Sequence, residues 1–186
     1  MKRLFDLFLA LFALLFLLVP ILLVAVIVRL TSSGAVLYWS DRVGRNSKFF
    51  KMPKFRTMIA DTPAVATHLL PNPEQYLTPV GSFLRKTSLD ELPQLWSILV
   101  GDMSFVGPRP ALFNQDDLIG LRTQYAVDKL VPGLTGWAQV NGRDELPIPE
   151  KVALDLEYMN NQSFRMDLKI ICLTFLKVMR RDGVKH

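Results

Sequence analysis

The sequence is poor in the residues that form disulfides or bind soft metals. Its 186 residues include one cysteine, Cys172, and two histidines, His68 and His186. A single cysteine excludes an internal disulfide framework and fits a reducing compartment. One cysteine and two well-separated histidines also argue against a zinc site, because structural zinc takes four Cys or His ligands. Any bound metal is therefore expected to be a hard ion that prefers oxygen, such as Mg²⁺.

Charge is absent from a long stretch near the N-terminus. From residue 7 to residue 28 no side chain is charged or polar, and the run includes Pro20. A helix of that length, about 33 Å, is long enough to cross a bilayer. The run is too long for the apolar core of a cleaved signal peptide, and no convincing cleavage site follows it. We therefore predict that residues 1–33 form a membrane helix.

The flanks of this helix leave its topology open. Basic residues stand at both ends, with Lys2 and Arg3 before the apolar run and Arg29 and Arg42 after it. Basic flanks prefer the cytoplasm, so comparable flanks favour two ends on one face of the membrane. Pro20 favours a kink, although spanning helices also tolerate proline. From these residues alone, crossing the membrane and re-entering on the same face are equal alternatives.

The charges outside this run indicate the kind of partner. A net charge of +5 suits nucleic acid, anionic lipid or a phosphorylated ligand. The membrane helix favours lipid headgroups and a phosphorylated substrate, and no nucleic-acid partner is expected. Within the helix itself, Arg3 and Asp6 are three residues apart and are predicted to pair on one helix face.

After Gly34 the sequence predicts a small, mainly α-helical domain with a short β-hairpin, spanning residues 34–186. The aromatic and β-branched runs 36–40 and 49–55 predict the hairpin strands. The proline-rich segment 59–80 is predicted to be a loop, and the glycine-rich segment 131–143 an ordered loop. Helices are predicted within 88–99, 115–128, 150–160 and 164–181.

The last predicted helix, 164–181, combines an apolar stripe with basic residues. The apolar residues recur at three- or four-residue spacing, with lysine and arginine between them; they are Leu168, Ile171, Cys172, Phe175, Leu176 and Met179. A basic amphipathic helix of this kind lies in the plane of lipid headgroups. A surface helix that packs its apolar stripe on a protein core has the same pattern, so both alternatives stay open.

Two adjacent carboxylates, Asp90 and Glu91, are the strongest candidates for catalysis. They follow Arg85 and Lys86, and a carboxylate pair beside fixed positive charge suits chemistry on a phosphorylated substrate. One acid is suited to nucleophilic attack while the other holds a metal or moves a proton. The same residues fit a capping box, in which Ser88 and Glu91 close the start of a helix. Consecutive helical residues diverge by about 100°, so the two acids are expected to play different roles.

Basic and polar residues elsewhere extend this constellation to a phosphate pocket. Pro108 and Pro110 frame Arg109, which lowers the entropy lost when its guanidinium binds a phosphate. Segment 132–143 carries an aromatic side chain, two amides and a basic group in a glycine-framed loop that suits a nucleotide or a sugar. The candidate binding residues are Lys54, Arg85, Pro108, Arg109, Pro110, Gln139, Asn141 and Arg143.

Taken in order, four strings resemble the small monotopic phosphoglycosyl transferases of the bacterial sugar transferase family. They are KFRTM (54–58), SLDELPQL (88–95), GDMSFVGPRP (101–110) and PGLTGWAQVNGR (132–143). The resemblance covers nearly the whole chain, including the Arg-x-x-Asp start at Arg3 and Asp6.

The resemblance implies transfer of a sugar phosphate from a UDP-sugar to undecaprenyl phosphate, a polyprenol phosphate, with release of UMP. It assigns Asp90 as a nucleophile that forms an aspartyl-phosphosugar intermediate, and Glu91 as an acid that helps to bind Mg²⁺ or positions a proton. Asp90 and Glu91 are thus the candidate metal ligands. Lys54, Arg85 and Arg109 match basic positions that hold phosphates. The reaction would be the first membrane-committed step in assembling an O-antigen, capsule, exopolysaccharide or glycoprotein glycan, with downstream glycosyltransferases as further partners.

The resemblance also implies a location. It places a re-entrant helix, turned at Pro20, and a catalytic domain on the cytoplasmic face of the bacterial inner membrane, with interfacial amphipathic helices. A serine commonly precedes this proline in related sequences, whereas Val19 does here, so the geometry of the break stays open. Neither the sugar nor the oligomeric state is determined.

Two other functions remain as alternatives. A catalytically silent membrane-anchored binding module explains the apolar helix but not the combination of acids, framed arginine and glycine-rich loop. A nucleotide-sugar hydrolase explains that combination, with water in place of the lipid phosphate.

Overall fold

The computed structural model of the protein describes residues 1–59, 62–63, 70–142 and 146–180. The α-helices are α1 (Lys2–Thr31), α2 (Gly81–Lys86), α3 (Leu95–Val100), α4 (Asp116–Gln124), α5 (Trp137–Asn141), α6 (Ile148–Asn160) and α7 (Phe164–Arg180). The strands are β1 (Leu37–Val43), β2 (Phe49–Phe55), β3 (Ser104–Val106), β4 (Ala111–Leu112) and β5 (Gly133–Thr135). Short 3₁₀ helices cover Arg45–Ser47, Pro73–Tyr76, Leu89–Gln94 and Val127–Lys129. The mainly helical fold with a short antiparallel sheet is as predicted.

Helix α1 packs one face against the rest of the protein along its whole length. Ala10 lies in a core cluster with Ile98 of α3, and Val28 lies in a second cluster with Phe55 of β2. The other faces of α1 expose large apolar side chains, among them Leu4, Phe8, Leu15, Phe16, Leu22, Leu23 and Leu30. The helix is long and apolar enough to cross a membrane. It therefore presents a wide apolar surface on one side and a packed seam on the other.

The N-terminal end of α1 is tied to the domain by its charged residues. Arg3 donates to the carbonyls of Ile98 and Leu99 in the last turn of α3. Asp6, which is 3% exposed, accepts the backbone N–H of Phe105 at 3.1 Å. The predicted Arg3–Asp6 pair is wrong: the Asp6 carboxylate is directed to the Phe105 N–H, and Arg3 binds carbonyls that the end of α3 leaves without a partner inside the helix.

A second arginine anchors the C-terminal end of α1. Arg56, which follows β2, donates to the carbonyls of Ser32 and Ser33 and to the Ser32 hydroxyl. Helix α1 continues across Pro20 without ending. Because a helix can bend at a proline without ending, the turn at Pro20 stays a prediction.

Two small sheets organise the middle of the chain. Strands β1 and β2 form the predicted antiparallel hairpin, in which Leu37 pairs with Phe55. Strand β4 adds to the free edge of β1, giving the order β2-β1-β4. Strand β3 pairs in parallel with β5, and Val106 lies opposite Thr135.

The prediction of a loop over 131–143 is wrong, because this segment contains β5 and α5. Its glycines allow backbones to approach each other closely. A Cβ atom on Gly133 would lie 2.1 Å from the nitrogen of Gly107, and one on Gly136 would lie 2.1 Å from the oxygen of Gly107. Glycine is common in loops, but here it allows the segment to pair as a strand with β3, which is distant in the chain.

The other segment predictions are largely confirmed. Helices α4, α6 and α7 lie within or close to their predicted ranges, and a 3₁₀ helix extends the second of the predicted helical segments to Lys129. Much of the predicted loop 59–80 lies outside the described residues. In its described part, Met58 forms a bridge with Leu77 and a 3₁₀ helix covers Pro73–Tyr76.

Helix α7 leaves most of its predicted apolar stripe exposed. Leu168, Cys172, Phe175 and Leu176 are exposed, whereas Ile171 is partly buried and packs with Ile170 in a core cluster. The core-packing alternative is therefore wrong for the four exposed residues, and an exposed apolar stripe is typical of a binding surface. The side chain of Met179 and the end of the prediction at residue 181 lie outside what the structure describes.

The packing of α1 on α3 gives a stability prediction. Ile98 is fully buried beside Ala10, so we expect Ile98→Ala to lower the free energy of unfolding by about 2–5 kcal/mol through lost burial and a cavity. Val100→Ala, two residues away at an exposed position, should change it by about 0.5 kcal/mol or less. Denaturant titration of the purified protein in detergent measures both. Equal losses for the two variants would contradict the packing described here.

Candidate active site

The acid pair lies on a short, tightly wound turn. Asp90 and Glu91 belong to the 3₁₀ helix Leu89–Gln94, which follows Ser88 in a left-handed conformation with φ 56°. This helix accommodates Pro93, and α3 begins only at Leu95. The late start of the α-helix agrees with the difficulty that Pro93 poses for an earlier one.

The predicted capping box is wrong. Ser88 makes no side-chain cap, and the only link between the two residues is the backbone N–H of Glu91, which donates to the Ser88 carbonyl at 3.2 Å. The Glu91 carboxylate turns instead to two cations. Charge-assisted bonds to cations are stronger than the bond that a neutral backbone N–H offers in a capping box.

Glu91 joins three segments of the chain. Its Oε1 accepts from Nζ of Lys54 at 2.9 Å and from Nη2 of Arg109 at 2.7 Å. Lys54 lies on β2, and Arg109 lies in the loop between β3 and β4. The Glu91 side chain is 15% exposed, so little water competes for these ion pairs. One carboxylate thus fixes two of the predicted phosphate-binding residues.

The pKa values of the two acids are shifted in opposite directions. Burial raises the pKa of Asp90 from 3.8 to about 6; Lys54 and Arg85 oppose the shift, and the charge of Glu91 adds to it. Burial acts on Glu91 in the same sense, but Arg109 and Lys54 hold the pKa of Glu91 well below its ordinary value. Among the described residues, Asp90 forms no ion pair of its own. The pair therefore consists of one acid bound to cations and one that is buried beside them.

Lys54 and Arg85 are themselves perturbed. Burial lowers the pKa of Lys54, and the charge of Glu91 opposes this shift. Burial also lowers the pKa of Arg85, with Asp90 opposing it. Among the described residues, Lys54, Arg85 and Arg109 all act on Asp90, so positive charge is concentrated around this acid.

Arg85 is positioned by a residue that sequence reasoning missed. Its Nε donates to Oγ1 of Thr57 at 3.0 Å, and Thr57 is buried. Helix α2 reaches Thr57 because Gly81 has no side chain: a Cβ there would lie 2.2 Å from the Thr57 carbonyl oxygen. Thr57 belongs to the string KFRTM, but its role depends on this distant contact, which carries no local signal.

The segment around Arg109 is held by its carbonyl groups. Pro108 and Pro110 are buried, while Arg109 is half-buried. The Pro108 carbonyl accepts from the N–H of Gly133 at 2.9 Å, and the Pro110 carbonyl accepts from Nη1 of Arg42 at 3.1 Å. The proline frame therefore fixes the backbone at Arg109 as the sequence predicts, with Arg42 as a contributor that it does not reveal.

The three candidates of the glycine-rich segment have different outcomes. The side chain of Gln139 has both polar atoms buried without a hydrogen-bond partner among the described residues, beside the Gly107 backbone that Gly136 contacts. Asn141 is exposed and donates to the Trp137 carbonyl at 2.8 Å. Arg143 lies outside the described residues. Gln139 thus lies close to the Arg109 segment, whereas the Asn141 side chain makes a hydrogen bond within its own helix, α5.

The predicted Mg²⁺ site needs phosphate groups of a bound substrate as further ligands. No cluster of three or more His, Cys, Asp or Glu side chains suited to a metal occurs in the described part of the chain. Mg²⁺ is commonly bound by one or two carboxylates together with substrate phosphates. Asp90 and Glu91 supply two adjacent carboxylates, so they fit an ion that a bound diphosphate completes.

Comparison with known proteins gives a consistent picture. A family model described as bacterial sugar transferase matches residues 1–181. The sugar transferase EpsL of Bacillus subtilis is 43% identical over 100% of this chain and 91% of its own length. UDP-glucose:undecaprenyl-phosphate glucose-1-phosphate transferase of Escherichia coli is 41% identical over 95% of this chain but 40% of its own length. Undecaprenyl-phosphate galactose phosphotransferase of Salmonella typhimurium is 38% identical over 81% of this chain and 34% of its own length.

The opposite pKa shifts predict opposite effects of neutralising the two acids. A pKa of about 6 means that the folded protein binds the Asp90 proton more tightly than the unfolded chain does. Ionisation of Asp90 therefore lowers the free energy of unfolding progressively between about pH 3.8 and pH 6, and the full loss is present above pH 6. We expect Asp90→Asn to raise the free energy of unfolding by about 3 kcal/mol at pH 8 and by about half as much at pH 5.

Glu91→Gln is the matched variant and should act in the opposite sense. It leaves Lys54 and Arg109 without their counter-ion, so we expect a loss of about 3 kcal/mol. Because the folded pKa of Glu91 is well below its ordinary value, this loss should be similar at pH 8 and pH 5. Thermal or denaturant unfolding at both pH values measures the two effects. A destabilised Asp90→Asn at pH 8 would contradict the assignment.

Proposed function

This chain belongs to the bacterial sugar transferase family, and from that membership we propose that it is a phosphoglycosyl transferase acting on polyprenol phosphate. It transfers a sugar 1-phosphate from a UDP-sugar to undecaprenyl phosphate and releases UMP. Relatives named for UDP-glucose and for undecaprenyl phosphate support this choice of donor and acceptor. Other relatives are named for exopolysaccharide production, which supports a role in assembling a surface glycan.

The observation that carries the proposal is the division between the two acids. Glu91 binds Lys54 and Arg109, whereas Asp90 is buried beside the same cations without an ion pair among the described residues. With a pKa of about 6, Asp90 is about nine-tenths ionised at pH 7. An ionised carboxylate that no described side chain engages in an ion pair keeps an oxygen available for attack on phosphorus, also when a metal ion shares the group.

The proposed reaction has two displacements at one phosphorus atom. An oxygen of Asp90 attacks the β-phosphorus of the UDP-sugar, the bond to the bridging oxygen breaks, and UMP leaves. A phosphate oxygen of the lipid then attacks the same phosphorus, forming polyprenyl diphosphate sugar and restoring the Asp90 carboxylate. Because UMP leaves before the lipid phosphate attacks, the intact UDP-sugar and the lipid phosphate need not be bound at the same time.

The remaining site residues stabilise the negative charge of the substrates and orient the groups that bind them. Lys54, Arg85 and Arg109 stabilise the negative charge that moves onto UMP in the first step. Glu91 keeps Lys54 and Arg109 in place before the substrate arrives. Gln139, whose buried amide has no hydrogen-bond partner among the described residues, is the candidate that binds the nucleotide or the sugar. A Mg²⁺ ion held by Asp90, Glu91 and the diphosphate would add further charge neutralisation.

We also propose that the enzyme is monotopic, on the cytoplasmic face of the bacterial inner membrane, with residues 1–33 as a re-entrant helix and 34–186 as the catalytic domain. Packing along the whole of α1, with ties at Arg3 and at Ser32, supports both ends lying on the domain side. The exposed apolar stripe of α7 supports contact with lipid. Leu89 and Leu92, on the turn that carries the acids, pack against the α1 seam, which supports a site close to the bilayer.

The activity prediction is that magnesium-dependent UMP release from a UDP-sugar requires polyprenol phosphate and falls by at least about 10³-fold in Asp90→Asn. The variant should be folded and more stable than the wild type at pH 8, so its inactivity would not reflect unfolding. Asp117→Asn, at an exposed position on α4, is the control and should retain full activity. A panel of UDP-sugars identifies the donor.

A second measurement separates the alternatives. Without lipid, the wild type should be labelled once per chain by radioactive sugar phosphate, whereas Asp90→Asn should not. Sustained UMP release without polyprenol phosphate would indicate a hydrolase. Absence of turnover and labelling with every donor would indicate a silent module, and full activity of Asp90→Asn would exclude Asp90 as the nucleophile.

The topology prediction uses the scarcity of cysteine. In a Cys172→Ser background, single cysteines at Lys2 and Thr31 report the two ends of α1. A membrane-impermeant maleimide should label neither position in intact spheroplasts and both in inverted membrane vesicles. Labelling of one position from each side would show that α1 crosses the membrane.

A further inference from the structure

A buried ion pair joins Arg122 and Asp155. Nε and Nη2 of Arg122 donate to Oδ2 of Asp155 at 3.0 and 2.6 Å. The two side chains are 9% and 1% exposed, and they join α4 to α6. Burying such a pair is weak evidence for a gain in stability, because desolvation offsets much of the attraction. Stabilisation of the fold alone is therefore a weak explanation for this arginine.

The remaining terminal nitrogen of Arg122 points to the active-site segment. Its Nη1 donates to the carbonyl oxygen of Arg109 at 2.7 Å. With Gly133 on Pro108 and Arg42 on Pro110, three successive carbonyls of this segment accept hydrogen bonds. Prolines have no backbone N–H, so a segment with prolines on both sides of Arg109 is held mainly through carbonyls. Of these three bonds, the bond from Arg122 is the one to the carbonyl of Arg109.

The contacts form a continuous path from a buried acid to the reacting pair. Asp155 fixes the Arg122 guanidinium, Arg122 fixes the backbone of Arg109, and Nη2 of Arg109 binds Glu91 at 2.7 Å. We propose that Arg122, oriented by Asp155, is a positioning residue that holds the Arg109 guanidinium where it meets Glu91 and the substrate diphosphate. The second part of this inference rests on the proposed function.

The chemistry of arginine suits this task. Its planar fork makes two bonds to Asp155 and one to Arg109 at fixed angles, and a lysine ammonium on a flexible stem does not reproduce that geometry. Asp155 also offsets the charge of Arg122, so that the buried cation does not repel Arg109 from behind. A purely structural link between α4 and α6 would need only the Asp155 bonds and not the one to the Arg109 carbonyl.

The test is a double-mutant cycle with Arg122→Lys and Arg109→Ala. We expect Arg122→Lys to lower kcat/KM for the UDP-sugar by about 10-fold or more through misplacement of Arg109. In the Arg109→Ala background the same change should cause no further loss, because the group that it positions is absent. Asp41→Asn, which breaks the exposed pair with Lys51, is the control and should leave kcat/KM unchanged. Multiplicative losses in the double variant, or wild-type kinetics in Arg122→Lys, would overturn the proposal.

A second measurement does not depend on turnover. Phenylglyoxal modification of Arg109, followed by mass spectrometry, should be several-fold faster in Arg122→Lys than in the wild type, with exposed Arg165 as the internal reference. Unchanged modification of Arg109 would overturn the inference even if the enzyme is active. If no donor is turned over, the proposed function fails while the modification rates still decide the positioning role. If Arg122→Lys does not fold, Asp155→Asn replaces it, with the same expected direction and the same contradicting result.

Discussion

The ion pairs of Glu91 are the constraint on which the rest of the site depends. One carboxylate oxygen binds Lys54 from the hairpin and Arg109 from the segment between β3 and β4, and so it links the turn that carries the acids to both of these parts of the chain. Because Glu91 holds these cations, its neighbour Asp90 lies in their field without being bound by them. Burial then raises the pKa of Asp90 while the cations keep it low enough to ionise near neutrality. Two chemically similar acids acquire different properties from their surroundings alone.

The same turn connects the site to the apolar helix. Leu89 and Leu92 pack with Val24 and Val28 of α1, and Phe55 of β2 joins that cluster. Side chains alternate along a strand, so Lys54, next to Phe55, is directed away from the α1 seam and reaches Glu91. The acid pair therefore lies one layer of side chains from the helix that carries the large exposed apolar surface. A substrate whose phosphate is attached to a membrane lipid needs a site at about this depth.

Sequence reasoning was most successful where the signal was local. The apolar run, the hairpin and the helices from 115 onward follow from periodicity and turn residues, and the order of the four strings led to the family. It failed where a distant group offered a better partner than a near one. Ser88 and Glu91 do not form a capping box because Lys54 and Arg109 compete for the carboxylate. The loop expected over 131–143 contains β5 because glycines allow it to pair with β3.

The sequence by itself determined the residues that carry the chemistry and the apolar length of α1, because both depend on side-chain type and local order. The tertiary structure decided how those residues differ in function. It placed Asp90 and Glu91 in unlike environments, gave Arg85 its support from Thr57, and anchored Arg109 through Arg122 and Asp155. These outcomes depend on burial and on contacts between residues far apart in the chain. Such contacts exist only after packing has removed water, which is why no local pattern announces them.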